Sequence, residues 1–170
     1  MSTNTTAPPS SRARVLSEDL SALVGEKRLV KLVFDAVQTL DPEAVAQAGR
    51  TCPGYRPQMM LSLLAYCYSV KRYGSQDIED AMGVDRMVTY LCARSYPDWQ
   101  SLRRFRRQQR DLLEQCLAYV MKQVWALEFD QGEADYIGYE WFEAELVQEI
   151  QSVLKERLST AALMDGVESD

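Results

Sequence analysis

The chain has 170 residues, 46% of them hydrophobic, and a net charge of −6 at pH 7, which favours a single domain with a hydrophobic core. It contains no run of about 18 apolar residues and no charged-then-apolar N-terminal segment, so we expect a cytoplasmic protein without a membrane span. The absence of histidine excludes Ser-His-Asp and Cys-His catalytic arrangements.

Helical periodicity dominates the first half of the chain. Residues 1–15 are rich in Ser, Thr, Pro and Ala without apolar periodicity, which predicts a disordered tail. Apolar residues at three-and-four spacing predict a helix over 17–40, and a proline-opened helix follows over 42–48. Residues 57–70 are apolar nearly all round, which predicts a central buried helix.

The middle of the chain predicts a corner followed by a long helix. Two short helices are expected over 76–82 and 85–93, with Gly83 between them, and this outline resembles a helix-turn-helix. Asp98 follows Pro97 and is a suitable N-cap for a helix over 99–127. Residues 16–127 are therefore expected to form one helical domain.

The C-terminal part is expected to hold a separate acidic helix. We predict a linker over 128–138, an amphipathic helix over 139–163 and a frayed tail over 164–170. Since no strand-like alternation is evident, the predicted fold class is all-α: a compact helical bundle with a helix-turn-helix-like corner and an extra acidic C-terminal helix.

The charges are divided unevenly along the chain. Residues 1–127 hold 17 basic and 13 acidic side chains, a balance of +4, whereas residues 128–170 hold 2 and 12, a balance of −10. Such a split indicates a basic working surface and an acidic tail region. A solvated acidic helix that only aids solubility explains the acidic balance of residues 128–170 equally well.

No catalytic or metal-binding motif is evident in the sequence. The cysteines are far apart, without a C-x-x-C pair, and buried free thiols explain them best; they are Cys52, Cys67, Cys92 and Cys116. There is no glycine-rich phosphate loop, and acidic pairs on helices are more often solvated than catalytic. We expect a protein that is not an enzyme and has no metal, cofactor or small-molecule substrate.

A cluster of arginines is the most informative local chemistry. Guanidinium groups suit phosphates, because they form bidentate hydrogen bonds and release counterions, and Trp99 or Tyr96 could stack on a base or sugar. The candidate DNA-contacting residues are Arg94, Trp99, Arg103, Arg104, Arg106, Arg107 and Arg110. Alternatively, the arginines pair with Asp111, Glu114 or the C-terminal acidic face.

Residues 55–107 resemble the N-terminal helical region of bacterial insertion-sequence transposases of the DDE type. The most specific piece matches a P-D-x-x-[ST]-[LI]-x-x-F-R signature. The matching pieces are Tyr55-Arg56-Pro57-Gln58-Met59-Met60-Leu61, Leu64-Ala65-Tyr66-Cys67-Tyr68-Ser69, Tyr73-Gly74-Ser75, Ile78-Glu79, Ala81, Tyr96-Pro97-Asp98, Ser101-Leu102 and Phe105-Arg106-Arg107.

This resemblance implies a helical domain used in DNA-end recognition and transposase assembly. After Pro97-Asp98, where the family often has an aromatic residue or histidine, this chain has Trp99, a mild change. The larger departure comes after Leu127, where the family continues into an RNase H-like domain. That domain carries the catalytic Asp, Asp and Glu, so no catalytic residue of the family can be assigned here. The resemblance implies the DNA-binding part of a mobile-element enzyme without its cutting domain.

Three functional hypotheses follow. The first is a non-catalytic DNA-binding module that contacts duplex phosphates through the arginine-bearing helix. The second is a protein-interaction or regulatory subunit that self-associates, or binds a transposase or another protein, through the 139–163 helix. In the third, the acidic C-terminal region lies over the arginines and competes with DNA.

Overall fold

A computed structural model describes residues 14–129 and 139–168. Within these ranges a short 3₁₀ turn, Arg14–Ser17, precedes nine α-helices, and no β-strand is present, which confirms the all-α bundle. The helices are α1 (Leu20–Val24), α2 (Glu26–Gln38), α3 (Pro42–Thr51), α4 (Pro57–Ser69), α5 (Ser75–Ala81), α6 (Arg86–Leu91), α7 (Trp99–Gln108), α8 (Arg110–Phe129) and α9 (Tyr139–Glu168).

The helix predicted over 17–40 is interrupted in the structure. Asp19 caps α1 by accepting a hydrogen bond from the backbone N–H of Ser21. Gly25 then has a φ of 86°, a conformation that side chains with a Cβ rarely adopt. Apolar spacing is nearly continuous across this break, so periodicity alone did not reveal it.

The helix predicted over 42–48 continues through Gly49 and ends at Thr51. A Cβ added at Gly49 would lie 3.2 Å from the Cγ atom of Pro57. The glycine therefore permits the end of α3 to pack closely against the first residue of α4. This close approach fixes the connection between the two helices, residues 52–56.

The core is built around α4, as the apolar sequence from 57 to 70 predicted. Every residue of α4 from Met59 to Ser69 is buried. Helices α2 and α8 pack against it and against each other, and α8 also packs against α9. The central helix thus joins the N-terminal helices to the arginine-bearing segment.

The helix predicted over 99–127 is divided into α7 and α8 at Gln109. The backbone of Gln109 leaves the helical region, with φ −111° and ψ 32°, although its N–H still donates to the carbonyl of Phe105 at 2.8 Å. The two parts pack on different neighbours, since α7 lies mainly against α5 and α4 whereas α8 lies against α2, α4 and α9.

The C-terminal helix is longer than predicted and is packed into the bundle. It continues to Glu168, and Asp165, which was expected in a frayed tail, is 1% exposed. Its buried apolar residues include Ile150, Leu154 and Ala161. The linker predicted over 128–138 lies outside the described residues except at its first two positions.

The predicted corner corresponds to α5 and α6, which are joined by residues 82–85. Asp85 caps α6 by accepting hydrogen bonds from the backbone N–H groups of Met87 and Val88. The two helices have only seven and six residues. A role for this corner as a helix-turn-helix stays a prediction.

Candidate nucleic-acid interface

The start of the arginine-bearing helix α7 is fixed by two carboxylates. Asp98 accepts hydrogen bonds from the side chain of Ser101 at 2.6 Å and from its backbone N–H at 3.3 Å. The carboxylate of Glu79, on α5, accepts a hydrogen bond from the backbone N–H of Trp99. Both acids lie at the positive end of the helix dipole, where negative charge is stabilising.

Asp98 also connects α7 to the preceding part of the chain. The hydroxyl of Tyr55 donates to its Oδ1 atom at 3.4 Å. The hydrogen bond from the Ser101 side chain is the main cause that lowers the pKa of Asp98. The cap is therefore ionised at neutral pH, and its contribution to stability is lost only as the pH falls through this lowered pKa.

The exposed face of α7 forms a shallow groove of about 530 Å³. The lining residues after Trp99 follow it by one, four, five, eight and nine positions, a spacing that places them on one half of the helix surface. The groove is lined by Trp99, Gln100, Arg103, Arg104, Arg107 and Gln108. It thus combines three guanidinium groups and one indole with no carboxylate.

The arginines of the groove are little neutralised by neighbouring acids. Within the described ranges, Arg103 and Arg104 make no salt bridge, and the Nε atom of Arg103 is buried without a hydrogen-bond partner. Arg107 is 57% exposed, and its Nε atom lies 3.8 Å from Asp165. The alternative pairing with Asp111 or Glu114 is not found among these residues, whereas an acid of the C-terminal helix, Asp165, does pair with Arg106 and Arg107.

The prediction that Arg106 contacts DNA is wrong, because the structure places this residue in the core. It is 5% exposed, because its position on α7 faces α9 instead of solvent. Its Nε donates to Asp165 at 2.8 Å, and its Nη atoms reach Asp165 again and the carbonyls of Tyr73 and Ala161. Burial is the largest single influence and opposes its charge, but the hydrogen bond and charge of Asp165, together with Tyr68, outweigh it and raise the pKa of Arg106.

The two outer arginines of the predicted set lie beside the groove. Arg94 is exposed in the connection between α6 and α7, where Ala93, Arg94 and Tyr96 all have positive φ angles. Arg110 is exposed in the first turn of α8 and, with Arg107, lines a smaller cleft of about 140 Å³ against α9. Neither residue lines the groove itself.

Asp165, the ion partner of Arg106, was not among the residues predicted from the sequence. A usable signal existed, because Leu154, Leu158, Ala161 and Asp165 follow one another at three-and-four spacing. Asp165 therefore continues the apolar stripe of α9. An acid at a core position requires a buried cation opposite it.

The described residues contain no group of three or more potential metal ligands. All four cysteines are buried and reduced, and burial raises the pKa of Cys92 to about 11 and of Cys116 to about 12. The pKa values of Cys52 and Cys67 are raised for the same reason. Thiols of this kind are poor nucleophiles.

None of the helices that the structure describes is long and apolar enough to cross a membrane. Comparison of the chain with protein-family models, with curated proteins and with solved structures found no match.

Proposed function

We propose that this chain is a non-catalytic DNA-binding module, and that the groove of α7 contacts the phosphates of DNA. The observation that carries the proposal is the composition of that groove, in which Arg103, Arg104 and Arg107 stand together without a carboxylate. The resemblance to transposase N-terminal regions, whose matching pieces include Asp98, Arg106 and Arg107 but not Arg103 or Arg104, supports the same function.

Physical chemistry favours a phosphate polymer over other anions. Phosphate contacts supply most of the non-specific affinity of DNA-binding proteins, because bound cations displace condensed counterions. Guanidinium groups bind phosphate oxygens bidentately. Trp99 lines the same groove and offers an aromatic face for a sugar or base.

The groove is also held in a fixed place on the bundle. Leu102 and Phe105 are fully buried on the opposite side of α7, and both ends of the helix are hydrogen-bonded to other segments, through Tyr55–Asp98 and Gln109–Thr51. A rigid helix presents its arginines with little loss of conformational entropy on binding.

The alternative of self-association through the C-terminal helix has less support. In α9 the apolar residues from Ile150 to Ala161 that would form a dimer seam are packed within this chain, against its own core. Val147 and Leu163 remain exposed, but single exposed apolar residues are common on protein surfaces.

The test is a comparison of two triple variants by fluorescence anisotropy with a labelled DNA duplex of random sequence. The Arg103→Gln/Arg104→Gln/Arg107→Gln variant should bind about tenfold more weakly or worse, because three phosphate contacts are lost. The control is Lys27→Gln/Arg28→Gln/Lys31→Gln, which removes three exposed charges from α2.

Both variants have the same net charge, so a general electrostatic effect would weaken both equally. Equal binding by the two triple variants, or no binding by the unmodified protein at low salt, would show that the groove is not a DNA site. Circular dichroism of each variant checks that the helical fold is retained.

A further inference from the structure

We propose that segment 50–56, from the last turn of α3 to the N-cap of α4, is a second phosphate-contacting element beside α7. The partner it implies is double-stranded DNA, since the two elements offer arginines to two backbones. This inference rests on the proposed function and specifies the substrate class of the same surface.

Two hydrogen bonds hold segment 50–56 along the flank of α7. The hydroxyl of Tyr55 donates to Asp98 at 3.4 Å, and the side-chain amide of Gln109 donates to the hydroxyl of Thr51 at 3.3 Å. Asp98 precedes α7 and Gln109 follows it, so these anchors are roughly 16 Å apart along the helix axis at 1.5 Å per residue. The stretch between its two anchor residues is shorter than this distance, and the side chains of Tyr55 and Gln109 supply the reach that connects it to both ends of α7.

The middle of the segment is close to an arginine of the groove. Burial raises the pKa of the Cys52 thiol, and the positive charge of Arg104 partly offsets this effect. Arg104 is thus near enough to act electrostatically on Cys52. It lies on the side of α7 that faces segment 50–56.

The two ends of the segment each carry an exposed arginine. Arg50 is adjacent to Thr51 at the C-terminal end of α7, whereas Arg56 is adjacent to Tyr55 at its N-terminal end. In the described part of the chain neither arginine makes a salt bridge. The side chain of Arg56, the N-cap residue of α4, makes no cap hydrogen bond.

The resulting surface has two arginine-bearing elements. Arg103, Arg104 and Arg107 line the groove of α7, Arg50 and Arg56 lie at the two ends of the connection, and Arg104 is near enough to Cys52 to act on it electrostatically. A single strand has one phosphate backbone to follow, whereas a duplex presents two backbones across its minor groove, about 6 Å wide. Two neighbouring arginine-bearing elements therefore match the two backbones of a duplex better than the one backbone of a single strand.

The experiment compares duplex and single-stranded DNA of the same length, across a range of salt concentrations. The variant Arg50→Gln/Arg56→Gln should lower the magnitude of the salt slope for duplex binding by about two, one for each lost phosphate contact. Its affinity for single-stranded DNA should change less than twofold. The matched control is Lys27→Gln/Arg28→Gln, and Arg50→Lys/Arg56→Lys should restore the slope.

The outcomes separate this inference from the proposed function. If the α7 triple variant loses duplex binding while Arg50→Gln/Arg56→Gln binds like the control, the second element is refuted and the groove is retained. If the double variant weakens both substrates equally, the assignment to a duplex is wrong. If the unmodified protein binds neither substrate, both proposals fail together.

Discussion

Adjacent arginines in α7 have opposite roles because a helix turns by about 100° per residue. Arg106 points into the bundle and is 5% exposed, whereas the side chain of Arg107 is 57% exposed. The buried guanidinium is stable there only because Asp165 and two backbone carbonyls accept its hydrogen bonds. A charge removed from water is costly unless it is paired in this way.

Removing the carboxylate of Asp165 should therefore destabilise the protein strongly. Asp165→Ala leaves the charge of Arg106 buried without its ion partner, and we expect the free energy of unfolding to fall by about 3–5 kcal/mol. Urea denaturation followed by circular dichroism measures this change. The control, Glu156→Gln, alters an exposed acid of the same helix and should change stability by less than about 0.5 kcal/mol.

A loss no larger than that of the control would mean that Arg106 reaches solvent and is not a core residue. The double variant Arg106→Met/Asp165→Leu provides a second check, because replacing both partners of a buried ion pair by apolar residues is often nearly neutral. It should be more stable than Asp165→Ala alone.

At the scale of whole helices, Arg157 joins α9 to two other parts of the chain. It is 2% exposed, and its Nη2 atom donates to the carbonyls of Leu16 and Glu18, both at 2.7 Å. Its Nη1 atom donates to the carbonyl of Tyr68 at 2.5 Å, at the end of α4. Burial lowers the pKa of Arg157, so this cation depends on those oxygens.

Replacing Arg157 by methionine should release the N-terminal turn. The carbonyls of Leu16, Glu18 and Tyr68 lose a charged donor, so we expect a loss of about 3 kcal/mol or more in unfolding free energy. The mutation should also accelerate amide hydrogen exchange more at the N-terminus of the bundle than in α4. Lys155→Met, at an exposed position of α9, is the matched control, and equal exchange rates in the two variants would contradict this role.

The sequence predicted those elements whose signals are local. The apolar run of α4 and the Asp98 cap of α7 were found because periodicity and capping depend on neighbouring residues. The division at Gln109 and the extension of α9 to Glu168 accompany tertiary contacts. The break at Gly25 has local signals, the Asp19 cap and the glycine itself, which apolar periodicity does not include. Arg106 was wrongly assigned to the surface because its partner, Asp165, is 59 residues away.

At the scale of the molecule, the acidic and basic halves of the sequence form one packed body. Helix α9 packs against α8 and α5, so the acidic region from residue 139 onward is part of the bundle, and its Asp165 contacts Arg106 and Arg107 of α7. The groove of α7 touches this contact only at Arg107, and its other lining residues make no salt bridge to the described part of α9. The net charge of −6 therefore conceals an exposed basic surface.

The salt dependence of duplex binding by the unmodified protein reports how many DNA phosphates its arginines contact. If the arginines of α7 and of segment 50–56 contact phosphates, the logarithm of the association constant should fall linearly with the logarithm of salt concentration. The expected slope is between about −3 and −5, for three to five phosphate contacts at about −0.9 each. A slope near zero, or no binding to duplex DNA at low salt, would show that these arginines do not contact DNA phosphates.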